Sequence, residues 1–470
     1  MSLPSRLMLS AVPAILLSYV AAAGVAAEPS ATSERPNFVF VFADDWGWGD
    51  LRCYGHPVLR TPNLDRLARD GTLFTQFYVA SGVCSPSRTA IMTGHFPARH
   101  RIHGHLARPE QNQRRAMPNW LDPDVPTVTD LLQQAGYRTG HFGKWHLGSG
   151  EGAPSIGEYG IDDHKGVNST DDYPNLWGPE FRPRSTEIII DETIRFIEQN
   201  RQGPFYVQAW LLDTHAYLQP TEEQQKAYPR HNGALKIYYS VATDADQHIG
   251  RLMKRLQELG LAENTVFVFS SDNGPEDIVI GNASHSGVGS AGPFRGRKRS
   301  LYEGGVRMPF IVRWPQGTPA GAVDNSSVIG GVDWLPTICS LADVELPDGL
   351  NLDGEDMSAA LRGRPTQRVK PLLWEWRFRV HGHALHQSPM LSIRDGKWKL
   401  LMNPDRSRVE LYDIPADPSE LTNLADWQPE VVERLAGKVL AWQKTLPPGP
   451  VEAVAGSNAY RWPNEVGSRR

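Results

Sequence analysis

Five apolar runs of strand length recur along this chain, and four of them stop on acidic, basic or metal-binding residues. "PNFVFVFADDWGWGD" ends in Asp44 and Asp45, "GYRTGHFGKWHLG" delivers Lys144 and His146, "PFYVQAWLLDTH" ends in Asp213 and His215, and "TVFVFSSDNG" ends in Asp272 and Asn273. The fifth, "MPFIVRWP", carries no such residues at its exit and is expected only to complete a sheet. Between them, "TPNLDRLARDG", "TVTDLLQQAG", "STEIIIDETIRFIEQN" and the stretch from Ala234 to Leu259 have helical spacing, several with Thr or Ser at the start and Gly at the end. Continuous apolar runs alternating with amphipathic helices specify an α/β fold, a large and mostly parallel sheet sandwiched by helices. Ligands of such sheets gather at the carboxyl ends of the strands, so folding should bring the four polar clusters to one edge.

Each cluster alone reads as ordinary. Asp44-Asp45 before "WGWG" and Asp272-Asn273-Gly274 are common turn sequences, and a lone histidine is most often hydrogen-bonded and structural. Together, three carboxylates and one amide oxygen make the hard donor set that Ca2+ or Mg2+ takes, whereas zinc favours more His or Cys. A basic loop, "GPFRGRKRSLYEGGVR", adds Arg295, Arg297, Lys298 and Arg299; most of these charges are expected to face solvent, while a buried lysine beside a metal would bind an oxyanion.

Export is expected from the first residues. Arg6 precedes the apolar "LMLSAVPAILLSYVAAAGVAA", and Val25 and Ala27 are the small residues that precede signal-peptide cleavage, placed here after Ala27. With 21% charged residues, a net charge of -5 and no long charged run, disorder, a coiled coil and general nucleic-acid binding are excluded. In an oxidising compartment three cysteines, Cys53, Cys84 and Cys339, leave at least one without an internal partner. Cys84 is the best candidate, because Ser85-Pro86-Ser87 opens a helix whose N-terminal N–H groups attract anions.

At "CSPSRTAIMTG" the chain resembles the sulfatase family, whose signature C-x-P-S-R holds a cysteine oxidised to formylglycine. The resemblance extends from "PNFVFVFADDWGWGD" through "GKWHLG" and "SDNG" to "KRSLYEGGVR" and the C-terminal "ELYDIPADPSELTNLA". It implies an alkaline-phosphatase-like fold with a smaller C-terminal α+β subdomain. It also implies Asp44, Asp45, Asp272 and Asn273 as ligands of one calcium ion, ahead of magnesium, with modified Cys84 completing the shell. Arg88 and Lys144 would hold the formylglycine and the sulfate, and His146, His215 and Lys298 would be the remaining catalytic residues. In the implied mechanism one hydroxyl of hydrated formylglycine attacks sulfur, His215 with Lys298 protonates the leaving alcohol, and His146 takes the proton of the second hydroxyl. Many relatives have proline directly before the strand-end histidine, where this chain has "LLDTHAYLQP".

The implied activity is hydrolysis of sulfate esters, on a sulfated carbohydrate, after action of a formylglycine-generating maturation enzyme. Two alternatives stand beside it: a phosphate or phosphonate ester hydrolase of the same superfamily, and a catalytically silent binding protein. Substrate contacts outside the sulfate pocket are expected from "HFPARHRIHGHLARPE", with His105, and from "LLWEWRFRVHGHALHQ", with Arg377. The Gly/Pro/Asn/Asp-rich segment from Glu151 to Ser185 is read as a long loop shaping the substrate site. The catalytic domain is expected over residues 34–345, a linker over 346–369 and the smaller subdomain over 370–463, where Asp395-Gly396 signals a hairpin and "PEVVERLAGKVLAWQKTL" a helix. Sequons occur at Asn168, Asn282 and Asn325.

Overall fold

The longest apolar runs become strands of one nine-stranded sheet. In the computed structural model, which describes residues 35–170, 175–277 and 285–457, these are β1 (Asn37–Ala43), β2 (Thr72–Tyr78), β3 (Arg138–Lys144), β4 (Asp163–Val167), β5 (Phe205–Trp210), β6 (Thr265–Ser271), β7 (Arg307–Arg313), β8 (Ala322–Asp324) and β9 (Ile329–Gly330). The expected signal peptide 1–27, the Asn282 sequon and the stretch 458–463 lie outside the described residues. The order is β4-β3-β5-β1-β6-β7-β2-β8, with β9 also on β2. All ladders are parallel except those of β7 with β6 and β2.

Every residue of β1 is buried, which is why it reads as an unbroken apolar run. Its alternate side chains still divide between two cores. Phe38, Phe40 and Phe42 join the helices Cys84–Thr93, Val128–Gln134 and Trp334–Leu341, whereas Val39, Val41 and Ala43 join Pro62–Arg69, Ser185–Asn200 and Gly233–Glu258. The mostly parallel sheet covered on both faces is thus present.

Four strands of this sheet, β2, β4 and the short β8 and β9, lie where the sequence pattern shows none. β4, "DHKGV", falls inside the segment read as loop; it is a poor strand former held at the sheet edge by its ladder to β3. β2, "TLFTQFY", is interrupted by polar residues and gains its place from β7, far along the chain.

A second sheet of four antiparallel strands, β10 (Leu372–Glu375), β11 (Leu391–Asp395), β12 (Trp398–Met402) and β13 (Glu410–Asp413), follows in sequence order. The β11–β12 hairpin turns at Gly396, which takes φ +58°, the conformation such turns require. Helix Pro429–Gln443 buries Leu435, Ala436, Val439 and Trp442 in the core shared by both sheets. Two polar clusters also join the sheets. Lys399 on β12 bonds Glu303 Oε1 at 2.9 Å and lies 3.0 Å from Glu420 Oε1, all three side chains being fully buried. Arg295 donates to Leu385 O, Tyr412 Oη, Glu420 O and Tyr302 Oη.

Candidate active site

The four chemistry-bearing strand ends come from four adjacent strands, β3, β5, β1 and β6, so their exits converge without any long excursion of the chain. The fifth apolar run is β7, the one antiparallel member of this part of the sheet. Its exit therefore lies at the opposite edge, which explains its lack of chemistry, and the chain enters it from the site side through Glu303–Val306.

Beyond β1, Asp44 accepts from Lys144 Nζ at 2.5 Å and lies 3.6 Å from Cys84 Sγ. Asp45 takes a left-handed backbone, φ +62°, as does His146 at +57°; at a non-glycine residue this costs about 1–3 kcal/mol and is borne where a side chain must be aimed. Asp45 receives Lys298 Nζ at 2.5 and 2.7 Å and Asn273 Nδ2 at 2.7 Å, and His215 Nε2 lies 3.9 Å away. Beyond β6, Asp272 Oδ2 accepts from Arg88 Nη2 at 2.7 Å and Nε at 3.1 Å. Gly274 packs its Cα against Gly304, where a Cβ would stand 2.0 Å from the carbonyl oxygen, so no side chain fits.

Cys84 is the first residue of its helix, which ends at Gly94 in the left-handed region, φ +69°. One turn on, Arg88 is fully buried, donates to Lys144 O at 2.8 Å and lies over the Trp210 ring at 5.0 Å. Leu106 N donates to Ser85 Oγ at 3.0 Å, and Leu106 O accepts from His146 Nε2 at 2.9 Å. Nε2 of His146 thus carries the proton, and its Nδ1, buried and with no hydrogen-bond partner among the described residues, keeps a free lone pair. His215 is the reverse: Nδ1 donates to Ala216 O at 2.7 Å, leaving Nε2 toward Asp45.

Burial sets the protonation pattern. It pushes the Cys84 thiol up to about 12, a rise that Lys144 and Lys298 do not offset. It would also raise Asp45, but Lys298, His215 and Lys144 together hold that carboxyl well below the usual range. Asp272 is raised, by burial and then by Asp44. Lys144 and Lys298 overcome their own burial through the carboxylates beside them and stay charged. His146 is pulled well below its usual value by burial and then by Lys144, and His105 is lowered to about 3 by burial and then by Arg115 and the pocket cations.

A hard divalent cation fits these residues. Ligand atoms of Asp44, Asp45, Cys84 and His215 lie within 4.8 Å of one another. Asn273 Oδ1 is buried without a hydrogen-bond partner among the described residues, an acceptor with nothing to accept from. Asp44 and Asp272 repel each other in a way that a divalent cation would relieve.

The structure therefore brings Asp44, Asp45, Cys84, Arg88, Lys144, His146, His215, Asp272, Asn273 and Lys298 together, with His105 beside them. Arg377 is elsewhere: it is buried, bonded to Glu375 at 2.7 Å and to Pro447 O at 3.1 Å, so the expected substrate contact is an interior ion pair. Asp213 likewise serves the scaffold, binding Arg182 and Thr186. Of the basic loop only Lys298 enters the cluster, and the expectation of solvated charges fails for its neighbours. Arg297 donates to the carbonyls of Glu276, Gly287 and Gly289, and Arg299 pairs with Glu276. Glu276, 3.8 Å from Lys298, and Trp177, beside His215, carried no sequence pattern that would have found them.

The sequence model of the family described as Sulfatase matches residues 36–344, and that described as N-sulphoglucosamine sulphohydrolase, C-terminal, matches residues 292–444. The N-acetylgalactosamine-6-O-sulfatase of Bacteroides thetaiotaomicron is 28% identical over 86% of this chain and 92% of its own. The N-acetylgalactosamine-6-sulfatase of Sus scrofa is 34% identical over 75% of this chain and 71% of its own. Among solved structures, Ps i-CgsB in complex with k-i-k-neocarrahexaose superposes with a TM-score of 0.74 at 25% identity, covering 87% of this chain and 93% of that one.

Proposed function

The chain belongs to the sulfatase family and is a sulfuric ester hydrolase, and on that premise we propose that it removes sulfate from a sulfated saccharide at the cluster around Cys84. The observation that carries this is the convergence of two lysines and an arginine on three buried carboxylates and one cysteine at adjacent strand ends. A sulfate ester is a stable anion, and its cleavage needs positive charge around the sulfate, a nucleophile and a proton for the departing alkoxide. Lys144 and Lys298 supply the charge, and both hold their protons in this site.

We assign Cys84 as the residue converted to formylglycine, whose hydrate supplies the nucleophilic hydroxyl. A thiol raised to about 12 is a poor nucleophile, which supports the assignment. Asp44, Asp45, Asp272 and Asn273, with residue 84, are assigned to Ca2+, which when bound stabilises negative charge on the sulfate oxygens. Arg88 fixes Asp272 and the end of β3, and so the orientation of the pocket wall. His146 is suited to accept a proton at Nδ1, since Nε2 is committed to Leu106. Lys298 Nζ and His215 Nε2 stand together on the Asp45 side, and we assign the pair to the leaving oxygen: Lys298, which keeps its proton, as the donor, and His215, held neutral by burial and protonated at Nδ1, as the group that positions it.

We further propose that the chain is exported with residues 1–27 removed, that a formylglycine-generating enzyme matures it, and that residues 34–345 and 370–463 act as catalytic domain and subdomain around a linker. No helix among the described residues is long and apolar enough to cross a membrane. The relatives' names make 6-sulfated N-acetylgalactosamine the first saccharide to test. Parallel assays on that sugar, an aryl sulfate and an aryl phosphate decide the matter: sulfate release is expected, and faster turnover of the phosphate would overturn the proposal.

A further inference from the structure

We propose that Trp177 is the platform on which the sugar ring of the substrate lies; the inference rests on the saccharide reading above. Trp177 comes from the segment between β4 and helix Ser185–Asn200. Its ring centroid lies 5.3 Å from that of His215 at an interplanar angle of 67°, and Lys144 Nζ is 5.9 Å from it. Two side chains of the charged cluster thus face one indole. The ring is also fixed in place. Nε1 donates to Asn168 Oδ1 at 2.7 Å, and the Arg182 guanidinium stands 5.3 Å from the ring. Arg182 in turn binds Asp213 and the carbonyls of Leu212, His215 and Tyr217, so the His215 loop and the indole share one anchor.

For all this fastening, Trp177 as a residue is only half-buried. The His215 side chain is 31% exposed, so Trp177 stands where the cluster opens to solvent. A pyranose presents a C–H face to a flat π surface while its hydroxyls stay in water, and an indole held by one polar bond at the mouth of an anion pocket offers that surface. The lysines recognise sulfate whatever carries it. Trp177 recognises the ring that carries it, which the charged cluster cannot do.

The test compares wild type, Trp177→Ala and Trp177→Phe on 6-sulfated N-acetylgalactosamine and on an acyclic alkyl sulfate, which makes a similar demand on the leaving oxygen but offers no ring. In Trp177→Ala the ratio of kcat/KM values, sugar over alkyl, should fall about tenfold, through KM, and Trp177→Phe should return it to within about threefold of wild type. An unchanged ratio, with both substrates losing equally, overturns the platform. If wild type cleaves neither sulfate, the saccharide reading itself fails. Calorimetric titration of the same sulfated sugar into the unreacted proteins then decides separately, equal affinity for wild type and Trp177→Ala counting against the platform.

Discussion

Lys399→Met would test whether the two sheets are joined by charge as well as by apolar packing. The ammonium is fully buried between Glu303 and Glu420, and methionine has nearly its length and volume, so the substitution removes the charge with little change in packing. Glu303 keeps Tyr78 and Arg307, and among the described residues Glu420 keeps only the Glu303 amide. Stranding a buried carboxylate in this way costs about 3–5 kcal/mol. The pH dependence follows from the two carboxylates. Burial raises Glu420 to about 7, so its ionisation in the folded protein opposes folding, and stability falls as pH rises from the unfolded value near 4.5 toward 7. Burial alone would raise Glu303 as well, but Lys399, Arg307 and Arg394 bring it down to about 2, so its contribution is present above about 4.5 and lost as pH falls below that. Without Lys399 both carboxyls shift upward, and the deficit of the variant should grow with pH. Urea unfolding followed by tryptophan fluorescence at pH 5 and pH 8 would show this, and Glu420→Gln added to Lys399→Met should recover part of the loss. A deficit below about 1 kcal/mol, or one independent of pH, would refute the reasoning.

Other outcomes are expected at the site. Cys84→Ala should abolish turnover and leave the melting temperature near wild type, and peptide mass spectrometry of active protein should find formylglycine at position 84; full activity with unmodified Cys84 counts against that assignment. Chelation should lower activity and Ca2+ restore it better than Mg2+, whereas stoichiometric zinc in active protein, found by elemental analysis, would contradict the oxygen-ligand reading. Because His146 is depressed, by burial first, it stays neutral as pH falls through about 6.5, so a kcat profile should show no limb there that disappears in His146→Gln. His105→Ala should raise KM for a sulfated oligosaccharide more than for an aryl sulfate, while Arg377→Ala, which takes the guanidinium from buried Glu375 and leaves it His103 and Gln443, should lower the melting temperature more than it alters either KM.

What could be read from the sequence follows how each residue earns its place. Asp44, His215 and Asp272 were legible because β1, β5 and β6 are buried on both faces, and a largely apolar run announces both the strand and the point where it stops, whereas β3 reads "RTGHFGK" and Lys144 stood out through the motif "GKWHLG". β4 was not, because "DHKGV" is a strand only by virtue of its edge ladder to β3. The basic loop shows the limit for side chains. Arg295, Lys298 and Arg299 look alike in sequence, but the fold sends the first to Tyr412, the second to Asp45 and the third to Glu276. Arg377 was misread for the same reason, since a charge next to tryptophans fits a sugar site as well as an interior ion pair. Trp177 follows no periodicity, and its position depends on Arg182 and Asn168, which nothing local specifies.

The burial of Cys84 imposes an order on the life of the molecule. At 2% exposure, with Asp44 against its sulfur and the loop 104–106 pinned to the next residue, its Cβ is out of reach of another enzyme once the chain has closed. On the conversion proposed above, the catalyst would have to meet this side chain while the nascent chain is still open, and maturation would race against folding. A host that folds the chain faster than it converts the cysteine would accumulate molecules that are native in every hydrogen bond, permanently silent, and beyond rescue by maturation enzyme added afterwards. Yield of folded protein and yield of enzyme would then be separate quantities, and the ratio between them would be set during synthesis.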